Sequence, residues 1–179
     1  MPQGLRRFHH TGQSHFITFT CYHRLPKLDT GPSRDLAVAA LEHARVKYRF
    51  LVYAFVVMPE HVHRLISGPD RATVAEAIQS FKISSAKQVE KLRGGSEQNG
   101  RLWQIRGYDR NVRDAKEFLE KRRYIHRNPV RRGLCAGPED WKWSSFRHYL
   151  TGEDCGVEIE SEWTARKREP PRVKIKPKP

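Results

Sequence analysis

His61 and His63 stand one residue apart in the stretch FVVMPEHVHRLIS, Phe55 to Ser67. On a β-strand, residues i and i+2 project from the same face with Cα atoms about 6.6 Å apart. The two imidazoles could then share one ion, while Val62 between them faces a core. The pair alone also suits plain packing, and a metal reading needs a third ligand. No HExxH helix and no paired thiols occur, which argues against structural zinc. Two imidazoles, an oxygen ligand and open positions would suit Mn²⁺ or Mg²⁺ acting on phosphoryl groups, with Mn²⁺ the readier to accept nitrogen. Glu60, immediately before His61, is expected to point away from the histidine face.

A second constellation is RRYIHRNPVRRGL, residues 122–134. Tyr124 and Asn128 are four apart, so on a helix they share a face with an axial offset of about 6 Å. This spacing fits a packing tyrosine and a capping asparagine. It fits equally a phenol nucleophile and an amide ligand. Arg122, Arg123, Arg127, Arg131 and Arg132 favour the second reading, because a phosphate backbone needs several cations and a packing tyrosine needs none. A phenol of ordinary pKa about 10 is a weak nucleophile, but charge around a bound phosphodiester lets it attack without prior ionisation. His126 is expected off that face, in a structural role. Pro129 predicts a helix boundary at Asn128.

Positioning these groups falls to one domain's worth of chain, 179 residues. Lys and Arg number 34 against 20 Asp and Glu, a formal charge of +14, which points to a polyanionic partner. No run approaches the roughly 20 apolar residues of a spanning helix, and no signal-like segment follows the start. A soluble, cytoplasmic protein that binds nucleic acid rather than membrane is expected. Cys21, Cys135 and Cys155 are too scattered for a disulfide framework and read as reduced thiols.

Alternation predicts a strand of about eight residues from Ser14. A helix capped by Ser33 or Asp35 follows, then strands over RFLVYAFVVM and HVHRLIS joined tightly at Pro59-Glu60. A long amphipathic helix is expected from Asp70 to Leu92, with Lys82, Lys87 and Lys91 on its solvated side. GGSEQNG reads as a flexible loop, LWQIRGYDRNVRD as a returning strand, and AKEFLEKRRYIHRN as a further helix. The order βαββαβ is that of an α+β, ferredoxin-like sandwich, an antiparallel sheet with helices on one face and extra C-terminal helices. Its other face is expected to stay open for a ligand. The expected partition is a basic segment over 1–13, the domain over 14–150, and a basic Pro/Lys-rich tail over 151–179, disordered for want of apolar surface.

PEHVH resembles the HUH motif (His, hydrophobic, His) of single-tyrosine, IS200-like transposases, and YIHRNP resembles the tyrosine helix of the branch called REP-associated tyrosine transposases. WQIRGYDRNVRD and WKWSSFRHYL are similar to that branch's flanking segments, so the resemblance covers about residues 14–150. It implies that His61, His63 and Asn128 hold a divalent metal, Mg²⁺ or Mn²⁺, and that Tyr124 attacks a DNA phosphate to leave a 5′-phosphotyrosyl link and a free 3′-OH. The implied substrate is single-stranded or hairpin DNA. Lys82, Lys87, Arg106, Arg110, Arg113, Arg123, Arg127, Arg131 and Arg132 are the candidate DNA contacts. The alternatives are a domesticated hairpin-binding protein without cleavage and an RNA-binding domain, though the aromatic strands of the latter are missing. Monomer and homodimer both stay open.

Overall fold

A computed structural model of the chain describes residues 14–95 and 100–168. Its elements run β1 (Ser14–Thr20), α1 (Gly31–Tyr48), β2 (Val52–Val57), β3 (His61–Ser67), α2 (Val74–Leu92), β4 (Tyr108–Asn111), α3 (Ala115–Arg131), α4 (Phe146–Thr151) and α5 (Glu162–Arg168). The strands form one sheet in the order β2-β3-β1-β4, antiparallel at every pairing. That is the expected α+β sandwich.

Alternation sorts the side chains. Ile17, Phe19, Val62 and Ile66 face α1 and α2 and join Leu41, Ala44, Phe81 and Val89 in the larger core. Phe16, Leu65, His61 and His63 face the other way. Helices α1 and α2 both begin at capping boxes, Thr30 with Ser33 and Thr73 with Glu76. The first therefore starts ahead of the expected Ser33 or Asp35, because Ser33 returns the cap bond from the third helical position. The second starts at Val74, four residues later than expected.

The second sheet face is less open than the sequence suggests. Phe118 and Ile125 of α3 pack there against Phe16, Tyr53, Val56 and Leu65, so open surface remains toward β1 and β4. This explains why VYAFVV is buried along its whole length, a run with apolar neighbours on both sides. Helix α3 also continues through Pro129 to Arg131 rather than breaking at Asn128. Proline sits in the last turn, where the lost N–H costs one bond and burial of Pro129 beside Ile125 offsets it.

The outer edge of β2 is closed by the chain after α3. Val56 bridges to Ser144, Val52 bridges to Ile159, and the Glu160 amide donates to the Val52 carbonyl. Val157 and Ile159 are buried in the larger core, and α5 follows. The expectation of disorder from residue 151 is thus wrong for 151–168: the alternation Val157-Glu158-Ile159 supplies apolar side chains inside a segment whose composition is polar. The tail over 169–179, the basic segment 1–13 and residues 96–99 of the expected flexible loop lie outside the described residues.

LWQIRGYDRNVRD becomes a strand only at Tyr108–Asn111. Ahead of it, Trp103 is buried and donates through Nε1 to Ser85 Oγ at 2.9 Å. Lys27 Nζ donates to the Arg101 carbonyl at 2.8 Å, and Lys82 Nζ to those of Gln104 and Ile105 at 2.8 and 3.0 Å. Arg64, on the inner face of β3, is fully buried against Phe19, Phe50 and Phe81, and its guanidinium nitrogens find no hydrogen-bond partner among the described residues. Burial pushes its pKa down to about 9.

Candidate active site

Strand β3 presents His61 and His63 on one face with ring centroids 4.5 Å apart. Each ring is held through Nδ1: His63 by Thr18 Oγ1 of β1 at 2.7 Å, His61 by Glu60 Oε1 at 3.1 Å. Protonated there, each imidazole donates to its oxygen partner, which makes Nε2 the nitrogen that carries the lone pair. Burial pushes both pKa values down, and the neighbouring His61 and Lys121 help bring His63 to about 3. Glu60 opposes the shift at His61. Neutral imidazoles with fixed tautomers are the state in which histidine ligates a cation.

Helix α3 delivers the remaining groups. Asn128 is buried and hydrogen-bonds His61. The Tyr124 ring lies 5.2 Å from that of His63, edge-on, and the residue is 38% exposed. The residues picked out in two distant segments therefore meet. Two imidazole nitrogens and the Asn128 amide oxygen are a donor set that would suit a divalent ion, with Glu60 and Thr18 orienting the rings behind them.

Several neighbours were not visible in the sequence. Glu60 was expected to point away, yet its Oε1 also accepts from Arg132 Nη2 at 2.6 Å, joining the start of β3 to the end of α3. Lys121 Nζ hangs 4.7 Å from the Phe16 ring centroid, one turn before Tyr124. The contact between Thr18 and His63 follows from strand register, which no local pattern reports. His126 behaves as expected: it is buried, and Nε2 pairs with Ser145 Oγ at 2.8 Å.

The candidate DNA contacts divide. Arg131 lies 5.5 Å from the Tyr124 ring centroid. Arg123, Arg127 and Arg106 are exposed. Arg110 and Arg113 both pair with Glu117, at 2.9 and 3.1 Å, and Arg132 pairs with Glu60. Lys87 is exposed on α2, across the sheet from Tyr124. Lys82 is not on a solvated face: it is buried and spends its hydrogen bonds on backbone carbonyls. A lysine on an amphipathic helix reads as exposed because the carbonyls it serves lie more than twenty residues away.

A sheet carrying a His-x-His strand under a tyrosine helix defines a class, and the comparison with known families agrees. The family described as "Transposase IS200 like" matches residues 9–128, and the chain belongs to that family. Within it, the chain is similar to the REP-associated tyrosine transposase of Escherichia coli, 28% identical over 145 residues, covering 79% of this chain and 81% of the relative. A Haemophilus influenzae protein provisionally given the same name is 29% identical over 114 residues, 59% of this chain and 64% of that protein. A solved REP-associated tyrosine transposase bound to a REP hairpin superposes with a TM-score of 0.64 at 24% identity, covering 86% of this chain and 89% of the other.

Proposed function

We propose that the protein is a metal-dependent transposase that cleaves and rejoins single-stranded hairpin DNA through Tyr124. The observation that carries the reading is that Tyr124 lies against His63 while Asn128 bonds His61, two contacts between elements some sixty residues apart. A structural tyrosine and a helix cap have no reason to converge on paired, neutral imidazoles. The relatives' names and the hairpin in the solved neighbour favour REP-like hairpin DNA as the substrate.

His61, His63 and Asn128 would hold the divalent ion, Mn²⁺ or Mg²⁺. When bound, it supplies positive charge to the phosphate oxygens. The phenolic oxygen of Tyr124 attacks the scissile phosphorus, and the bond to the 3′-oxygen breaks. The phenol gives up its proton and the departing 3′-oxygen gains one, leaving a 5′-phosphotyrosine and a free 3′-OH. Attack of a 3′-OH on that linkage restores the phenol and rejoins the strand. Arg131 and Lys121 flank the tyrosine, where they can neutralise the phosphate and hold it in line.

The test is incubation with labelled hairpin DNA and Mn²⁺, followed by a denaturing gel. Wild type forms a covalent adduct, and Tyr124→Phe binds equally well but forms none. Tight binding without an adduct on any hairpin, in either metal, would leave the binding-only alternative standing. An adduct with Tyr124→Phe would identify a different nucleophile.

A further inference from the structure

The open part of the second sheet face carries an aromatic that the chemistry above does not use. Thr18 of β1 pairs with His63 on one side and with Tyr108 on the other, so all three project from one face. Tyr108 is 50% exposed. Phe16 links it to the nucleophile: its ring lies 6.3 Å from Tyr108 and 6.0 Å from Tyr124, edge-on to both. Two solvent-facing tyrosines thus flank one buried phenylalanine.

The placement is built into the backbone. A Cβ at Gly107 would come within 2.9 Å of the Thr18 carbonyl oxygen and 3.1 Å of Phe19 Cδ1. Glycine lets the chain approach β1 this closely and set Tyr108 in register with Thr18. Exposed Arg106 lies on one side in sequence, and Arg110, which hydrogen-bonds Tyr108, on the other. An exposed aromatic face beside a cation, continuous with Tyr124, matches the chemistry of an unpaired nucleotide: the ring stacks the base and exposed Arg106 meets its phosphate.

We infer that Tyr108 is the stacking platform for an unpaired base of the substrate strand, next to the phosphate that Tyr124 attacks. This rests on the reading of Tyr124 as nucleophile, so binding is measured in the Tyr124→Phe background, where no cleavage intervenes. The probe is the hairpin with an unpaired flank that gives the adduct, or the tightest-bound hairpin of the panel if none does. Tyr108→Ala weakens binding between about 5-fold and about 150-fold, while Tyr108→Phe and Tyr108→Trp stay close to the parent. The slope of affinity against salt is unchanged by Tyr108→Ala, because no phosphate contact is lost. Arg106→Gln lowers it by about 0.7.

A 2-aminopurine walked along the unpaired strand reports the position directly. Its fluorescence is quenched at one site adjoining the cleaved phosphate, and the quench disappears in Tyr108→Ala. Unchanged affinity in Tyr108→Ala overturns the inference, as does an equal loss in Tyr108→Phe, which would assign the effect to the hydroxyl. A quench far from the cleaved phosphate overturns the position. Failure of wild type to form an adduct counts against the nucleophile alone, since affinity and quenching read Tyr108 separately.

Discussion

Glu60 changes the account of the site most. One carboxylate oxygen accepts from His61 Nδ1 and from Arg132, so the residue both fixes an imidazole and ties the strand to the tyrosine helix. Glu60→Gln should weaken Mn²⁺ binding by about 10- to 100-fold, the usual cost of losing a partner behind a metal ligand. Electron paramagnetic resonance titration of Mn²⁺ without DNA measures this, and an unchanged affinity would reduce Glu60 to a surface ion pair. The four residues to which direct roles are proposed were legible because each pair lies within one element, at strand or helix spacing. Thr18, Lys121, Tyr108 and the pairing of Glu60 with Arg132 were not, since these arise from register between strands and from where α3 docks.

At the scale of elements, order and type followed from periodicity, whereas boundaries failed where tertiary contact overruled local preference. Pro129 reads as a helix end, yet α3 passes through it because Ile125 and Pro129 are buried. Residues 157–159 read as tail, yet Val52 bridges to Ile159 at the edge of β2. The two accounts predict different outcomes for Ile159→Ala. A core position costs about 2–5 kcal/mol in urea unfolding, and a disordered tail costs nothing. The same strand edge, left unpaired, would expose VYAFVV to other chains, so the variant should also aggregate sooner on heating.

For the whole molecule, histidines buried neutral contribute to the pH dependence of stability. Burial, with Arg122 adding to it, holds His126 at about 3 against an ordinary value of about 6.5. The pKa of His148, bonded to Ser161 Oγ, is lowered in the same direction. Between those two values the unfolded chain binds a proton that folded His126 refuses. Its contribution is therefore complete above about pH 6.5 and is lost as pH falls toward 3. Urea midpoints measured from pH 7 down to pH 4 should fall steadily, and His126→Gln should flatten that decline. A decline equally steep in the variant would place the proton uptake elsewhere.

The closure of β2 by Ser144 and Ile159 also has a meaning in time. Strands β1 to β3, with both imidazoles, leave the ribosome well before the tyrosine helix, and that helix docks on a strand whose edge is finished by a segment made later still. A growing chain thus displays the two halves of the proposed site before they can meet. On the proposed function, competence to break a strand would wait until the segment that closes β2, beneath the helix carrying Tyr124, has emerged.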